Sequence, residues 1–244
     1  MSARILLAVT HRVLIQLRRD RRTLVMLLVL PCAIMTLLWW MFRDTVGLRF
    51  GALAPALLAL IPFIIMFLVT SVTTLRERTS GTLERLLAMP MGKGDFLVGY
   101  ALAFGLVAAV QSGLAVWLSV TFLDLQVAGP VWLLLVVAVV DAVLGSALGL
   151  FVSAFARTEF QAVQFMPALV IPQILLCGLF IARDDLPPVL HAISAVLPLS
   201  YAVDAMSAVA RDEHPDVAGD LLLIAGFAVG ALVLGALTLR RQSD

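Results

Sequence analysis

The chain has 244 residues, of which 62% are hydrophobic and 14% are charged, and its mean hydropathy is +1.06. Soluble domains carry about 45–50% apolar and about 25% charged residues, so this composition excludes an ordinary soluble protein and indicates a chain embedded in a bilayer. The net charge of +1 gives no sign of nucleic-acid binding, and the two cysteines fit neither a metal-ligand spacing nor a disulfide framework. We expect no nucleic acid, metal or cofactor in this chain.

The first predicted element is an amphipathic helix over residues 1–22. Basic residues share one side and apolar residues the other: Arg4, His11, Arg12, Arg18, Arg19 and Arg22 against Leu6, Val9, Val13 and Leu17. This pattern favours a helix in the membrane interface with its basic face toward anionic head groups of the membrane lipid. The helix is either a generic anchor that enforces orientation or a hinge beside an attached cytoplasmic protein.

Six apolar runs follow in the rest of the chain, residues 23–244. A helix needs about 20 mostly apolar residues to cross the hydrocarbon core, and runs of about that length cover residues 23–42, 52–75, 96–123, 130–156, 163–182 and 217–239. Long unbroken runs favour helices over a β-barrel, and the late start of the first run is unlike a cleavable signal peptide. The predicted fold is therefore an all-α membrane protein with six transmembrane helices.

The distribution of Lys and Arg predicts the orientation of these spans. A cytoplasmic N-terminus assigns all but four of the 17 Lys and Arg residues to the cytoplasmic side, the exceptions being Arg43, Arg49, Arg183 and Arg211. Because cytoplasmic loops carry the excess of positive charge, we expect both termini in the cytoplasm.

The segment between the second and third spans, LRERTSGTLERLLAMPMGKGD, is strongly charged. Ser80 is a candidate N-cap, Glu84 falls in the first turn and Pro90 ends the run, which predicts a short helix over residues 82–89. Asp95 is then expected to cap the third span. The alternative is a simple solvated connection between two spans.

Polar residues are scarce inside the predicted spans. Asp141, about halfway along the fourth span, is a functional candidate because buried ionisable groups are costly in a membrane. It is expected to hydrogen-bond to Gln111 or Gln164 and either to line a translocation pathway or to clamp helices together. Small residues nearby permit close helix approach, within one chain or between two, namely Gly145, Ser146, Ala147 and Gly149.

Residues 183–216 precede the last span and contain an apolar stretch before Pro198 and Tyr201. This stretch predicts a re-entrant extracellular segment that acts as a lid or gate. An intramembrane protease is excluded, because no His and only one Asp lies in a span. A proton-coupled secondary transporter that uses Asp141 remains the alternative function.

Two segments resemble type-2 ABC exporter permeases. That family's pattern R-E-R-E-x-G-T-L-E-x-L-L-x-x-P is matched by Arg76, Glu77, Arg78, Gly81, Thr82, Leu83, Glu84, Leu86, Leu87 and Pro90, and Thr79 replaces a common acid. Residues 177–181, 185–187 and 197–206 resemble the family's extracellular region before the last span.

The resemblance implies a half-transporter that exports a hydrophobic or amphipathic substrate, such as a drug or lipid, across a bacterial plasma (inner) membrane. Residues 79–90 would form a coupling helix that docks on a separate ATPase, present in two copies with its ATP and Mg. Arg76, Glu77, Arg78, Gly81, Thr82, Leu83, Glu84, Arg85 and Pro90 would carry that coupling. A second permease chain, identical or homologous, would complete the pathway.

The chain itself is not expected to be an enzyme. Gly92-Lys93-Gly94 lacks the hydroxyl residue of the phosphate-binding loop G-x-x-x-x-G-K-[ST] and follows no predicted strand. ATP hydrolysis is therefore expected on the partner ATPase.

Overall fold

The computed structural model describes residues 3–43, 50–80 and 93–238, and within them all regular structure is helical. The helices are α1 (Ala3–Arg19), α2 (Arg21–Phe42), α3 (Phe50–Thr79), α4 (Lys93–Thr121), α5 (Val131–Ser153), α6 (Glu159–Leu176), α7 (Pro188–Ser194), α8 (Pro198–Arg211) and α9 (Ala218–Thr238). Among these described helices, α2, α3, α4, α5, α6 and α9 are long and apolar enough to cross a membrane. The six-span, all-α prediction is confirmed.

Three predicted boundaries are corrected by the structure. The second span does not end at residue 75, because α3 continues through the charged residues to Thr79. The fifth span begins at Glu159, where the Thr158 side chain accepts a hydrogen bond from the Gln161 N–H, and it ends before Gly178, whose φ of +92° is left-handed. Asp95 does not precede the third span, because α4 already begins at Lys93.

The core of the bundle is the contact between α3 and α5. A Cβ atom added to Gly145 would lie 2.5 Å from the Phe63 carbonyl oxygen, and one added to Gly149 would lie 2.5 Å from that of Phe67. From the first contact to the second, the position moves four residues toward the C-terminus on both helices, so α3 and α5 run in the same direction. The glycine side of α5 lies almost in contact with the α3 backbone. These two glycines therefore pack within one chain.

α1 lies against α4 with its apolar side, as its sequence pattern predicts. Val9, Val13 and Leu17 are buried, and the Thr10 hydroxyl donates to the Gly99 carbonyl at 3.1 Å. Gly99 has no room for a side chain, since a Cβ there would come within 2.7 Å of a Val9 methyl group. We call this side of the molecule, which also contains the start of α2 and the end of α3, the α1 end.

The opposite end contains the α4–α5 connection together with α7 and α8. α7 and α8 meet at an angle of 90°. The Ala128 and Gly129 N–H groups donate to the Ala210 and Val209 carbonyls at 3.0 Å, which satisfies carbonyl groups at the C-terminus of α8. Gly129 allows this approach, because a Cβ there would lie 2.7 Å from the Asp212 carbonyl oxygen.

α2 and α6 are much less enclosed than α3 and α5. Each shows a long apolar face to its surroundings: Val25, Met26, Val29, Leu37 and Trp40 on α2, and Phe160, Val163, Leu169, Ile171 and Leu175 on α6. Faces of this kind are stable against lipid tails or against another membrane-spanning chain.

Candidate functional site

The charged end of α3 is held by three different helices. Successive residues of a helix point about 100° apart, so Arg76, Glu77 and Arg78 face three directions. Arg76 reaches Glu159 at the start of α6, Glu77 reaches Arg12 on α1, and Arg78 donates to the Ser153 carbonyl at the end of α5. Any force on the segment that follows α3 is thereby shared with α1, α5 and α6.

The pair between Arg12 and Glu77 is the most enclosed of these contacts. Arg12 Nη2 lies 3.3 Å from Glu77 Oε1, and the Glu77 side chain is only 4% exposed. The prediction that the basic side of α1 faces lipid head groups is therefore wrong for Arg12, which turns inward. The reason is the buried carboxylate, since a charge removed from water requires a partner of opposite sign.

The pair between Arg76 and Glu159 is open to solvent. Arg76 Nε and Nη2 donate to the two oxygens of Glu159 at 2.7 and 3.0 Å, and both side chains are more than half exposed. Two parallel hydrogen bonds fix the relative orientation of the two groups, although an exposed pair stabilises the fold by about 1 kcal/mol or less. The pair positions the end of α3 against the start of α6.

α1 contacts both flanks of residues 81–92. It meets the end of α3 through Arg12 and Glu77, and it meets the beginning of α4 through Val9, Thr10 and Gly99. Six of the predicted coupling residues, and the short helix predicted over residues 82–89, lie outside the described residues: Gly81, Thr82, Leu83, Glu84, Arg85 and Pro90. Ser80, the predicted N-cap, lies in the turn that ends α3, where its hydroxyl donates to the Glu77 carbonyl at 3.3 Å.

The predicted pathway residues lie on three helices, with Gln111 on α4, Asp141 on α5 and Gln164 on α6. Asp141 lies one helical turn before Gly145, on the side of α5 that faces α3, and is fully buried. Gln111 is also buried, whereas Gln164 lies exposed on α6. Neither Asp141 nor Gln111 has a side-chain hydrogen bond to any residue that the structure describes, so the expected bond to Asp141 is absent. The sequence could not reveal which side of α5 packs against α3.

The predicted gate residues belong to a cluster at the opposite end. Pro198 is the first residue of α8, a position that needs no N–H donor, and the Tyr201 hydroxyl donates to the Ala195 carbonyl at 2.6 Å. The centre of this cluster is Arg183, whose guanidinium lies 5.1 Å from the centre of the Tyr201 ring. Its Nε donates to Ser194 Oγ at 2.8 Å, and its Nη1 donates to the Asp204 carboxylate.

Arg183, Ser194 and Asp204 are functional candidates that the sequence pattern did not single out. Arg183 and Asp204 are 21 positions apart, and no local spacing marks them as a pair. Gln173 on α6 contributes as well, because its Oε1 accepts from the Leu199 N–H in the first turn of α8 at 3.3 Å. The start of α8 is thus held by groups from α6, from α7 and from the connection between them.

The whole of this arrangement lies within a known family pattern. The family model described as "ABC-2 type transporter" matches residues 4–210, which include all but the first residue of α1 and every residue of the two clusters above.

Three relatives illustrate the similarity. The probable multidrug ABC transporter permease YbhR of Escherichia coli (strain K12) is 27% identical over 150 residues, 62% of this chain and 41% of that protein. The inner membrane transport permease YhhJ of the same organism is 26% identical over 141 residues, 57% of this chain and 38% of that protein. ABC transporter G family member 20 of Dictyostelium discoideum is 27% identical over 154 residues, 63% of this chain and 21% of that protein. The chain spans less than half the length of each relative.

Proposed function

Because the chain belongs to the ABC-2 type transporter family and is a multi-pass membrane subunit of that kind, we propose that it forms the substrate pathway of an exporter. The transport is driven by ATP hydrolysis on a separate ATP-binding cassette subunit, present in two copies. The membrane is the bacterial inner membrane, with both termini of this chain in the cytoplasm. The α1 end is then the side on which the ATPase binds.

One observation carries the coupling part of this proposal: α1 contacts both the end of α3 and the beginning of α4, the two helices that flank residues 81–92. A connection between two spans needs only a few polar residues, whereas here its flanks are braced by α1, α5 and α6. Docking of the ATPase on Glu84 and Arg85 would therefore move the end of α3 and the start of α4 together with α1. Mixed charges suit this contact, because they fix register and steer association.

Glu77 and Arg78 act inside this chain in the proposed mechanism. Both side chains already hold partners on α1 and α5, so they transmit motion from the docked segment rather than touch the ATPase. Arg76 is the most exposed of the three and is bound to Glu159. It can exchange that partner for an acidic group of the ATPase.

The pathway itself lies between two permease chains, identical or homologous. Gly145 and Gly149 are occupied by α3 of the same chain, so the partner chain packs elsewhere. The exposed side of α6 is the better surface, since it combines apolar residues with the exposed Gln164. The pathway role of Gln164 follows from this placement, while Asp141 and Gln111 act from inside the bundle by shaping its packing.

The substrate is proposed to be hydrophobic or amphipathic, such as a drug or a lipid. Exposed apolar side chains dominate α2 and α6, and a path walled by such residues offers little to a small ion. A relative named as a probable multidrug permease supports the same class.

The first test is co-purification of the tagged full-length chain from its native membrane in mild detergent. Mass spectrometry should find an ATPase with a complete phosphate-binding loop in equal amount. Glu84→Arg should reduce that recovery and uncouple ATP hydrolysis from transport, whereas Glu213→Arg, an exposed acid at the opposite end, should do neither. Normal transport by Glu84→Arg would contradict the coupling role.

The proton-driven alternative depends on Asp141, whose carboxyl oxygens have no partner among the described residues. If the chain purifies alone, and if transport at constant ATP stops when a proton uncoupler is added, that alternative replaces the exporter. Transport that follows ATP and ignores the uncoupler supports the exporter.

A further inference from the structure

A cavity of about 220 Å³ lies at the α1 end, between α1, the start of α2 and the end of α3. Ligand pockets for drug-sized molecules hold about 300–1,000 Å³, so this space is small for such a ligand but has room for the head group of a side chain. Asp20 and Arg76 both line the cavity. A carboxylate and a guanidinium therefore face the same space while each is bound to a different partner.

The present partner of Arg76 is held weakly. Arg76 donates through Nε and Nη2 to the two oxygens of Glu159, and the side chains of the pair are 58% and 51% exposed. An ion pair this open to water contributes about 1 kcal/mol or less. Another carboxylate within reach of the guanidinium can therefore compete with Glu159.

Asp20 has the properties of that second acceptor. Hydrogen bonds from Thr23 lower the pKa of Asp20, and the charge of Arg76 lowers it further, so the carboxyl is ionised at neutral pH. The guanidinium is thus already close enough to act on Asp20 electrostatically. Each carboxylate oxygen accepts one hydrogen bond from Thr23 and has a second lone pair to offer. Asp20 has no ion pair with any residue that the structure describes.

Both acceptors lie at the start of a membrane-spanning helix. Asp20 is the N-cap of α2, and Glu159 is the first residue of α6. The partial positive charge of a helix N-terminus favours a carboxylate at either place, so the acid that is left without the arginine stays in a favourable position. Arg76 lies in the last turn of α3 and connects the end of that helix to whichever of the two helices it binds.

We propose that Arg76 alternates between Glu159 on α6 and Asp20 at the start of α2, and that its guanidinium enters the cavity to reach Asp20. Asp20 is then a positioning residue for the end of α3 as well as a helix cap. The exchange transfers the link from α6 to α2, the two least enclosed of the described spans. Glu77 and Arg78 keep α3 on α1 and α5 throughout.

This exchange adds to the coupling role proposed above. Arg76 lies just before residues 81–92, so movement of that segment favours one acceptor over the other and thereby holds or releases α6. The exchange itself requires neither ATP nor an ATPase. Its test therefore fails or succeeds independently of the exporter function.

The test measures hydrogen–deuterium exchange in the purified full-length chain, with whatever subunits accompany it, over residues 21–28 of α2 and 159–166 of α6. Glu159→Gln and Arg76→Gln both remove the contact with α6, and exchange at the start of α6 should accelerate in both. Only Glu159→Gln leaves Arg76 free to bind Asp20. Exchange at the start of α2 should therefore be about two- to fivefold slower in Glu159→Gln than in Arg76→Gln, which is the factor that one exposed ion pair supports.

Asp20→Asn separates the new role from capping, because its amide oxygen can still cap α2. Added to Glu159→Gln, it should abolish the slower exchange at the start of α2, and Asp20→Asn alone supplies the baseline for the altered cap. Asp124→Asn, the same change at the opposite end, should leave the slower exchange intact. The slowing should also disappear at about 1 M salt, where the screening length is about 3 Å.

Equal exchange at the start of α2 in Glu159→Gln and Arg76→Gln would overturn the proposal. Slowing that survives Asp20→Asn would overturn it as well, since Arg76 would then have a different acceptor. The overall free energy of unfolding should change little in each variant, as expected of exposed pairs, so local exchange is the quantity that decides.

Discussion

The two ends of the bundle hold their helices by opposite arrangements. At the α1 end, three consecutive residues of α3 each contact a different helix, with Arg76 on α6, Glu77 on α1 and Arg78 on α5. At the opposite end a single residue, Arg183, contacts Ser194, Tyr201 and Asp204 at once. The first arrangement spreads the contacts over several side chains, and the second concentrates them on one.

This difference bears on how each end can move. Loss of one contact at the α1 end leaves α3 held by the other two, so the helices there are suited to move together. Loss of the Arg183 contacts removes three links between α7, α8 and the connection before them at once and leaves the Gln173–Leu199 and Tyr201–Ala195 hydrogen bonds, so α7 and the start of α8 would be loosened in one step. The close contact of α3 with α5 runs between the two ends and links them.

The largest effect is expected from Gly145→Val, which would separate α3 from α5 and disconnect the two ends. The new side chain would begin 2.5 Å from the Phe63 carbonyl oxygen, a backbone atom that cannot turn away. The free energy of unfolding should fall by about 3 kcal/mol, the upper end for overpacking of a core, measured by thermal unfolding in detergent. Gly226→Val on α9 is the control, because a Cβ there meets no described atom within 4 Å. Equal stability of the two variants would refute the close α3–α5 contact.

Arg183→Gln tests the concentrated arrangement. Arg183 is only 13% exposed, and its replacement removes the Asp204, Ser194 and Tyr201 contacts together, at an expected cost of about 2–3 kcal/mol. Hydrogen–deuterium exchange should accelerate in α7 and the first turns of α8. The matched variant Arg211→Gln, exposed at the end of α8, should leave exchange unchanged. Slow exchange in Arg183→Gln would mean that other contacts hold the gate.

Arg12→Gln tests the distributed arrangement at its most buried contact. Glu77 would lose its ion-pair partner, and the free energy of unfolding should fall by about 2 kcal/mol, since Arg12 itself is 33% exposed. A double-mutant cycle with Glu77→Gln should show coupling between the two positions. Arg18→Gln on the exposed side of α1 serves as the control. Additive effects of Arg12→Gln and Glu77→Gln would show that the pair does not interact.

The smallest effect is expected from Arg76→Gln. Its pair with Glu159 is exposed on both sides, so stability should change by less than about 1 kcal/mol and the change should shrink in high salt. Glu159→Gln should behave identically, and the double variant should add nothing. A loss as large as that of Arg183→Gln would remove the distinction between the two ends.

The sequence predicted those features that depend on hydrophobic pattern. The six spans, the buried side of α1 and the close approach at Gly145 follow from periodicity and side-chain size, which are local properties. The inward turn of Arg12 could not be predicted, because it depends on Glu77, a residue 65 positions away.

The orientation of Asp141 and the contacts of Arg183 could not be predicted either, because they also depend on residues distant in the sequence. The direction in which Asp141 points is set by the packing of α5 on α3, and the pairing of Arg183 with Asp204 is set by the bend between α7 and α8. The end of α3 was misplaced because charged residues were taken to end a span. A helix continues past the membrane surface when its charges find partners, as Arg76, Glu77 and Arg78 do.

The contact of Ala128 and Gly129 with the C-terminus of α8 fixes that end of the helix, so α8 can move only by rotating about it. The hydrogen bonds that Ala128 and Gly129 donate to the Ala210 and Val209 carbonyls do not involve Arg183. Release of both Arg183 and the Gln173–Leu199 hydrogen bond would therefore loosen the start of α8 while its end stays anchored. The helix has 14 residues and is therefore about 21 Å long. A rotation of about 10° around the anchored end would carry Pro198 through about 4 Å while Arg211 hardly moves. Displacement is thus amplified along α8, and the largest travel falls at the residue where the chain bends toward α7.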